Sequence, residues 1–391
     1  RAWPRGDDGP MRAVTRALAV VLVCAVACVG AGARAAAPEP DAHLAGLPAG
    51  RWTEIHRQAS SDEVTFTRQA HAGSAFDTRR GRIVVFGSDT HGRDWTNSPL
   101  YFDVARRQWR RAYPDDAPQT YRVATGGHPV AGEDGDHPWA MHTFGAVTYD
   151  PVHDRLVVAS SPAHLAPGRF TDAMASVWPG IRRHPTWTFD LATERWRPLA
   201  GQAVSFFPYA TAYDSHRAVV IGYRPDGVYE LPIRDRDPSW RRVANATRQG
   251  FHTTAVYDTR QRVVVVLGDH RLTNEVIVYD PSARRDRVMP TPGRRPPPFQ
   301  CAPTAWDEPR GVVVALVDEA TEESAGRQVQ AGTWLYDPRG DAWTRLPGGD
   351  LPFRLGMNYN LHHDPRHDVL LLVAGRPTSV WALRLRAQAL P

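Results

Sequence analysis

One short pattern recurs six times along this chain. A run of strand-forming residues ends in Asp, a polar turn follows, and an apolar run returns. The copies are AFDTRRGRIVVFG (75–87), TYDPVHDRLVVA (148–159), AYDSHRAVVIG (212–222), VYDTRQRVVVVLG (256–268), AWDEPRGVVVALV (305–317) and HHDPRHDVLLLVAG (362–375). The six Asp positions are 77, 150, 214, 258, 307 and 364, spaced 73, 64, 44, 49 and 57 residues apart. A unit recurring every ~40–50 residues, with loops absorbing the excess, predicts a propeller or a solenoid.

A second element trails the first. In YFDVARRQW (101–109), TFDLATERW (188–196) and LYDPRGDAW (335–343) an Asp is followed six residues later by Trp. VYDPSARRD (278–286) keeps Asp280 but carries Asp286 in the Trp position, and the third unit stretches the motif to Glu230 and Trp240. Each unit thus supplies two hairpins, or four short strands, with turns rich in Asp, Pro and Gly. Four strands per unit without helical periodicity predict a propeller blade.

Over residues 50–388 this arrangement resembles the Kelch-type β-propellers, the group that includes the central domain of galactose oxidase. The double glycine usual after the second strand is degraded here to pairs such as Gly87-Ser88, Gly222-Tyr223 and Gly375-Arg376. The last unit shows only three strands before the chain ends. The segment GRWTEIH (50–56) looks like an outer strand without a hairpin before it. The expectation is therefore an all-β, six-bladed propeller closed by an N-terminal strand, which removes free sheet edges. A seventh blade would have to lie in 114–139 or 161–185. Neither stretch shows an apolar strand pair, and both are expected as long loops.

Residues 11–35 combine a basic start, an apolar run and the small residues Ala33-Arg34-Ala35, the pattern of a secretory signal peptide. The run is short for a stable membrane span. Residues 1–10 read as upstream sequence, 36–49 as a linker and 50–391 as the propeller domain. Ala25-Val26-Ala27-Cys28 is a weak lipobox-like match, which makes lipid anchoring through Cys28 an alternative to release into the periplasm or medium. None of the 47 basic residues is Lys. Without residues 1–35 the balance is 42 Arg against 40 acidic residues, close to neutral, and no nucleic-acid motif is present. Cys301 then has no Cys partner. A monomer is expected.

By analogy with this fold, connections between blades and those from second to third strand lie on the top face, and the Asp turns on the bottom. His362, His363 and His367 are accordingly read as turn residues. On the top, the inner strands begin near His71, His142, Tyr209, His252, Cys301 and Asn358-Tyr359. The top loops add Asp89, His91, His164, Tyr223, Arg224, Asp269, His270, Arg271 and Asp318, and the 114–139 loop brings Trp139. Such convergence marks the candidate site.

Three chemistries fit. The first is β-elimination in a uronate polysaccharide. It needs a neutraliser for the sugar carboxylate, a base for the C5 proton and an acid for the leaving oxygen. Arg224 with His164 would neutralise, and of Tyr209 and His142 either would be the base and the other the acid. The set is similar to that of secreted propeller lyases of the ulvan-lyase type, although those have seven blades. His71, Trp139, Tyr223, His252, His270, Arg271, Asn358 and Tyr359 would contact the acidic polysaccharide. The second is a non-catalytic glycan- or protein-binding propeller. The third, which the galactose-oxidase resemblance implies, is a copper-radical oxidase with Cys301 as its thiol. No cofactor is required for the first two. A divalent metal on His71, His142 and His252 is stereochemically allowed, with zinc or manganese suited to imidazole.

Overall fold

The computed structural model describes residues 42–59, 68–91, 94–247, 250–271, 273–320 and 329–386. The expected leader, Cys28 and the first residues of the linker lie outside them. The chain builds six antiparallel four-stranded sheets. The first holds Gly73–Asp77, Arg82–Phe86, Leu100–Asp103 and Gln108–Arg111. The second holds Val147–Asp150, Arg155–Val158, Trp187–Asp190 and Arg195–Pro198. The third runs from Ala210–Asp214 through Val219–Arg224 and Gly227–Pro232 to Arg241–Ala244. The fourth comprises Thr254–Asp258, Val263–Leu267, Ile277–Asp280 and Arg285–Val288. The fifth comprises Thr304–Asp307, Val312–Ala320, Val329–Asp337 and Ala342–Arg345. In the sixth, Leu361–Asp364, Val369–Ala374 and Ser379–Leu383 are completed by Trp52–Arg57 from the other end of the chain. First strands of successive blades abut around a ring, and the sixth meets the first. The fold is a six-bladed β-propeller.

Why these residues make blades is visible strand by strand. Both faces of a blade are covered by its neighbours, so second strands such as Val263–Leu267 and Val369–Ala374 are buried throughout and read as unbroken apolar runs. Fourth strands sit on the rim, and Gln108–Arg111 alternates exposed and half-buried residues. The hydrophobic clusters lie between blades. One example packs Ile83, Val85 and Phe102 of the first against Leu371, Val373 and Val380 of the sixth.

The repeated Asp residues are buried turn anchors. Asp150 Oδ1 accepts the amides of Val152 (2.9 Å) and His153 (3.2 Å), and its Oδ2 faces His153 Nδ1 (2.8 Å) and Arg155 Nε (2.9 Å). Asp77, Asp214 and Asp258 make the same pair of amide bonds at their own turns. Four residues after each of the six Asp the chain is left-handed, at Gly81, Asp154, Ala218, Arg262, Gly311 and Asp368. A carboxylate that satisfies two turn amides offsets the strain of that conformation. His367 belongs to this scheme, with Nδ1 on Asp364 Oδ2.

Closure is specific. Trp52 pairs with Leu383 and Arg57 with Ser379, and Trp52 Nε1 donates to Thr333 Oγ1 at 2.9 Å in the fifth blade. Part of the expected linker is docked rather than loose. Leu44, in a short helix Ala42–Ala45, is fully buried, and its carbonyl accepts Arg384 Nη2 at 2.8 Å. The stretches 114–139 and 161–185 hold no blade. They carry only a hairpin of two-residue strands, Arg122–Val123 with Pro129–Val130, and short 3-10 turns. They pack on each other through Tyr121, Trp139, Leu165 and Met174, and Arg182 N donates to Gly127 O. No helix among the described residues is long and apolar enough to cross a membrane.

Candidate functional site

The top of the channel is plugged by Phe144, Cys301 and Tyr359, with Phe207 and Met357 against them. Below the plug the inner strands enclose a cavity of about 420 Å³, lined in part by Ser74, Thr148, Thr211 and Thr254. The histidines gather above, between the first two blades. His71 lies just before the first inner strand, and its carbonyl accepts the amides of Thr143 and Phe144. Thr143 locks the two blades by donating Oγ1 to Phe86 O at 2.5 Å and accepting Gly73 N at 2.7 Å. This approach depends on glycine. A Cβ at Gly73 would stand 2.0 Å from Phe144 O, and one at Gly87 would stand 2.5 Å from Thr143 Oγ1.

The resulting cluster contains His71, Asp89, His91, His142 and His164. The His142 ring lies 4.3 Å from His71, 4.9 Å from His91 and 3.8 Å from His164, centroid to centroid. Asp89 Oδ1 is 3.7 Å from His71 Nε2, 3.5 Å from His91 Nε2 and 3.8 Å from His142 Nε2. Thr90 N donates to His142 Nε2 at 3.1 Å. Phe170, half-exposed, closes over His91 and His164 at 4.3 and 4.7 Å. His164 is held from below, because the adjacent Leu165 is fully buried in the packed pair of loops.

Burial sets the protonation. It pushes His142 down to about 3 and His71 down to about 4, with the Asp89 charge opposing in both. His164 falls to about 4 through burial and the neighbouring His91 and His71. For Asp89 burial acts upward, but the neighbouring His142, His71 and His91 outweigh it and lower the carboxyl to about 2. At neutral pH His71, His142 and His164 are uncharged beside the Asp89 carboxylate, a set suited to accepting a cation.

Sequence reasoning placed His71, His142 and His164 on this face, and the structure brings them together. It brings Asp89 and His91 in as their partners. His252 stands apart, on the far side of Phe144, with Nδ1 on the Tyr359 hydroxyl at 3.0 Å. Tyr359 in turn packs with Cys301, and burial raises that thiol to about 12. Tyr209 and Arg224 form a second group, with the guanidinium 6.0 Å from the Tyr209 ring. Arg224 Nη1 donates to Ser205 O at 2.6 Å, and Arg224 Nε pairs with Asp226 at 2.9 Å. Phe207, two residues before Tyr209 in the chain, has its ring 5.0 Å from His164. Trp139 is fully buried, donating to Val130 O, and Asn358 is buried on Val373 O. Tyr223 is buried with its hydroxyl on Asp286. His270 stacks on Phe251 at 3.6 Å, and Arg271 pairs with Asp269 at 2.6 Å. Phe144 and Phe170 were not singled out from the sequence, because an aromatic residue in a loop carries no periodic signal.

Searches for a matching protein-family profile and for a matching curated protein found none. The chemistry must therefore be read from the side chains. Uncharged imidazoles of lowered basicity, an ionised carboxylate and an exposed aromatic ring can together stack a sugar and move a proton beside a charge.

Proposed function

We propose that this is a secreted Kelch-type propeller that cleaves acidic, uronate-containing polysaccharide by β-elimination on its top face. The observation that carries the reading is the stack of His142, His164 and Phe170, with an uncharged histidine at a solvent-reachable wall. In the reaction a base removes the proton at C5. The electron pair forms the C4–C5 double bond, the C4–O bond breaks, and an acid protonates the leaving oxygen. His164 is half-buried and faces Phe170, so it has the access a base needs. His142 lies behind it and acts by positioning. Tyr209, two residues beyond Phe207 in the chain, is the acid, and Arg224 beside it meets the sugar carboxylate. Phe170, with Arg169 next to it in the loop, would supply the stacking floor.

The exposed Phe170 also favours the second reading, a glycan-binding propeller without turnover. Ultraviolet absorbance of unsaturated products, followed with a panel of uronate polysaccharides, separates the two. Wild type should raise the absorbance, and His164→Ala and Tyr209→Phe should abolish the rise. A flat trace on every substrate with retained gel-shift binding would sink the lyase reading and leave the binder.

A further inference from the structure

The geometry points to a divalent transition-metal site, with zinc the fitting ion, formed by His71 Nε2, His91 Nε2, His142 Nε2 and Asp89 Oδ1. Asp89 Oδ1 sits 3.5, 3.7 and 3.8 Å from the three imidazole nitrogens. These separations are too long for hydrogen bonds. Ligand atoms about 2.0–2.1 Å from a tetrahedral ion are themselves roughly 3.4 Å apart. The four candidate ligand atoms all lie within 4.8 Å of one another. An ion at their centre needs only a small inward movement of side chains.

The second observation is energetic. His71, His142 and His164 each bury an Nδ1 that has no hydrogen-bond partner among the described residues. His142 is 1% exposed, so water does not relieve it. Leaving a buried polar nitrogen unsatisfied carries a desolvation cost. An ion on the Nε2 side of His71 and His142 fixes each ring's proton on Nδ1 and leaves that atom as it is, so what the ion offsets is the Asp89 charge that three imidazole Nε2 atoms surround. Binding takes the His142 Nε2 lone pair from the Thr90 amide, so the turn at 88–91 must give slightly. His91, on the solvent side with about a third of its side chain exposed, leaves the ion reachable. Three imidazoles and one carboxylate suit zinc, and the nitrogen majority disfavours calcium and magnesium.

A second group of potential ligands, Asp307, His363 and Asp368, provides the contrast. There Arg310 already bonds both carboxylates, so a guanidinium fills the place of the cation. Among the described residues, Asp89 of the top cluster has histidines and no arginine as ion partners.

This proposal is independent of the lyase reading and is tested without substrate. The full chain is stripped with a chelator and titrated with Zn²⁺ by calorimetry, and with Co²⁺ by visible absorption, whose intensity reports tetrahedral coordination. One ion per chain with tetrahedral Co²⁺ bands is expected. Asp89→Asn and His91→Ala, at partly exposed positions that leave the fold intact, should weaken binding by more than roughly 100-fold, beyond the ~10–100-fold that outer-shell partners are worth. His363→Ala should leave it unchanged. Absence of stoichiometric binding by wild type, or wild-type affinity in both cluster variants, overturns the site. A chain that binds zinc but produces no unsaturated sugar retains the site and loses only the lyase.

Discussion

His164 stacks on His142 with ring centroids 3.8 Å apart, although one sits in a 3-10 turn of a long loop and the other five residues ahead of the inner strand Val147–Asp150. The contact exists because Leu165, next in the chain, is buried among Tyr121, Trp139 and Met174. Leu165→Ala should therefore act on the loop before it acts on the ring of blades. Truncating a fully buried Leu costs about 2–5 kcal/mol. Limited proteolysis should cut faster within 161–185, while the main thermal transition moves less than in a variant of the blade core such as Leu371→Ala.

Burial keeps His71, His142 and His164 uncharged when folded, with values of about 4, 3 and 4. In the unfolded chain each titrates near 6.5. Between about pH 6.5 and 4 the unfolded state therefore binds more protons, and stability is lost as the pH falls through that window. Urea midpoints should be lower at pH 5 than at pH 7. His252 and His362 are lowered by burial in the same way and contribute to the wild-type slope. The cluster is isolated by difference: His164→Ala should show a shallower decline than wild type. Equal slopes would contradict the burial argument.

Asp150 should be the more sensitive member of its turn. Its carboxylate takes two backbone amides and faces Arg155 and His153. Asp150→Ala leaves buried donors unanswered and should cost about 3 kcal/mol. Asp150→Asn keeps the oxygen that holds the amides and should cost less. Chemical denaturation of the two variants measures the gap.

Trp52→Ala should loosen the seam. The indole is buried and spans from the closing strand to Thr333 in the fifth blade. A loss of about 3–5 kcal/mol is expected. Hydrogen exchange should rise first in Ser379–Leu383, its strand partner.

The six Asp turns could be read in the sequence because their chemistry is local: a carboxylate serves amides two and three residues on. The blades followed from apolar runs, and the closing strand from a strand count that came out one short. Site legibility was narrower. Register alone put His71 and His142 at equivalent positions, and they did meet. Register also grouped His252 with them, but Phe144 intervenes, and nothing in a repeat says which way a ring turns above a plugged channel. Trp139 and Asn358 fall on the expected face of the sequence map yet point inward. Loop direction is decided by packing between distant segments, such as Gly127 against Arg182, and periodicity does not encode that.

The seam between Trp52–Arg57 and Ser379–Leu383 has a consequence for how the molecule comes into being. A strand translated early has as its partner one of the last to be translated. Until that partner emerges, five blades can assemble while the sixth lacks its outer strand and the ring stays open. Pairings across such sequence separation are slow to form because chain entropy is lost before contact is gained. An arrest or truncation near the C-terminus would thus leave the strand at the opposite terminus without its hydrogen-bonding neighbour, and a defect at either end of the gene should yield the same damaged blade.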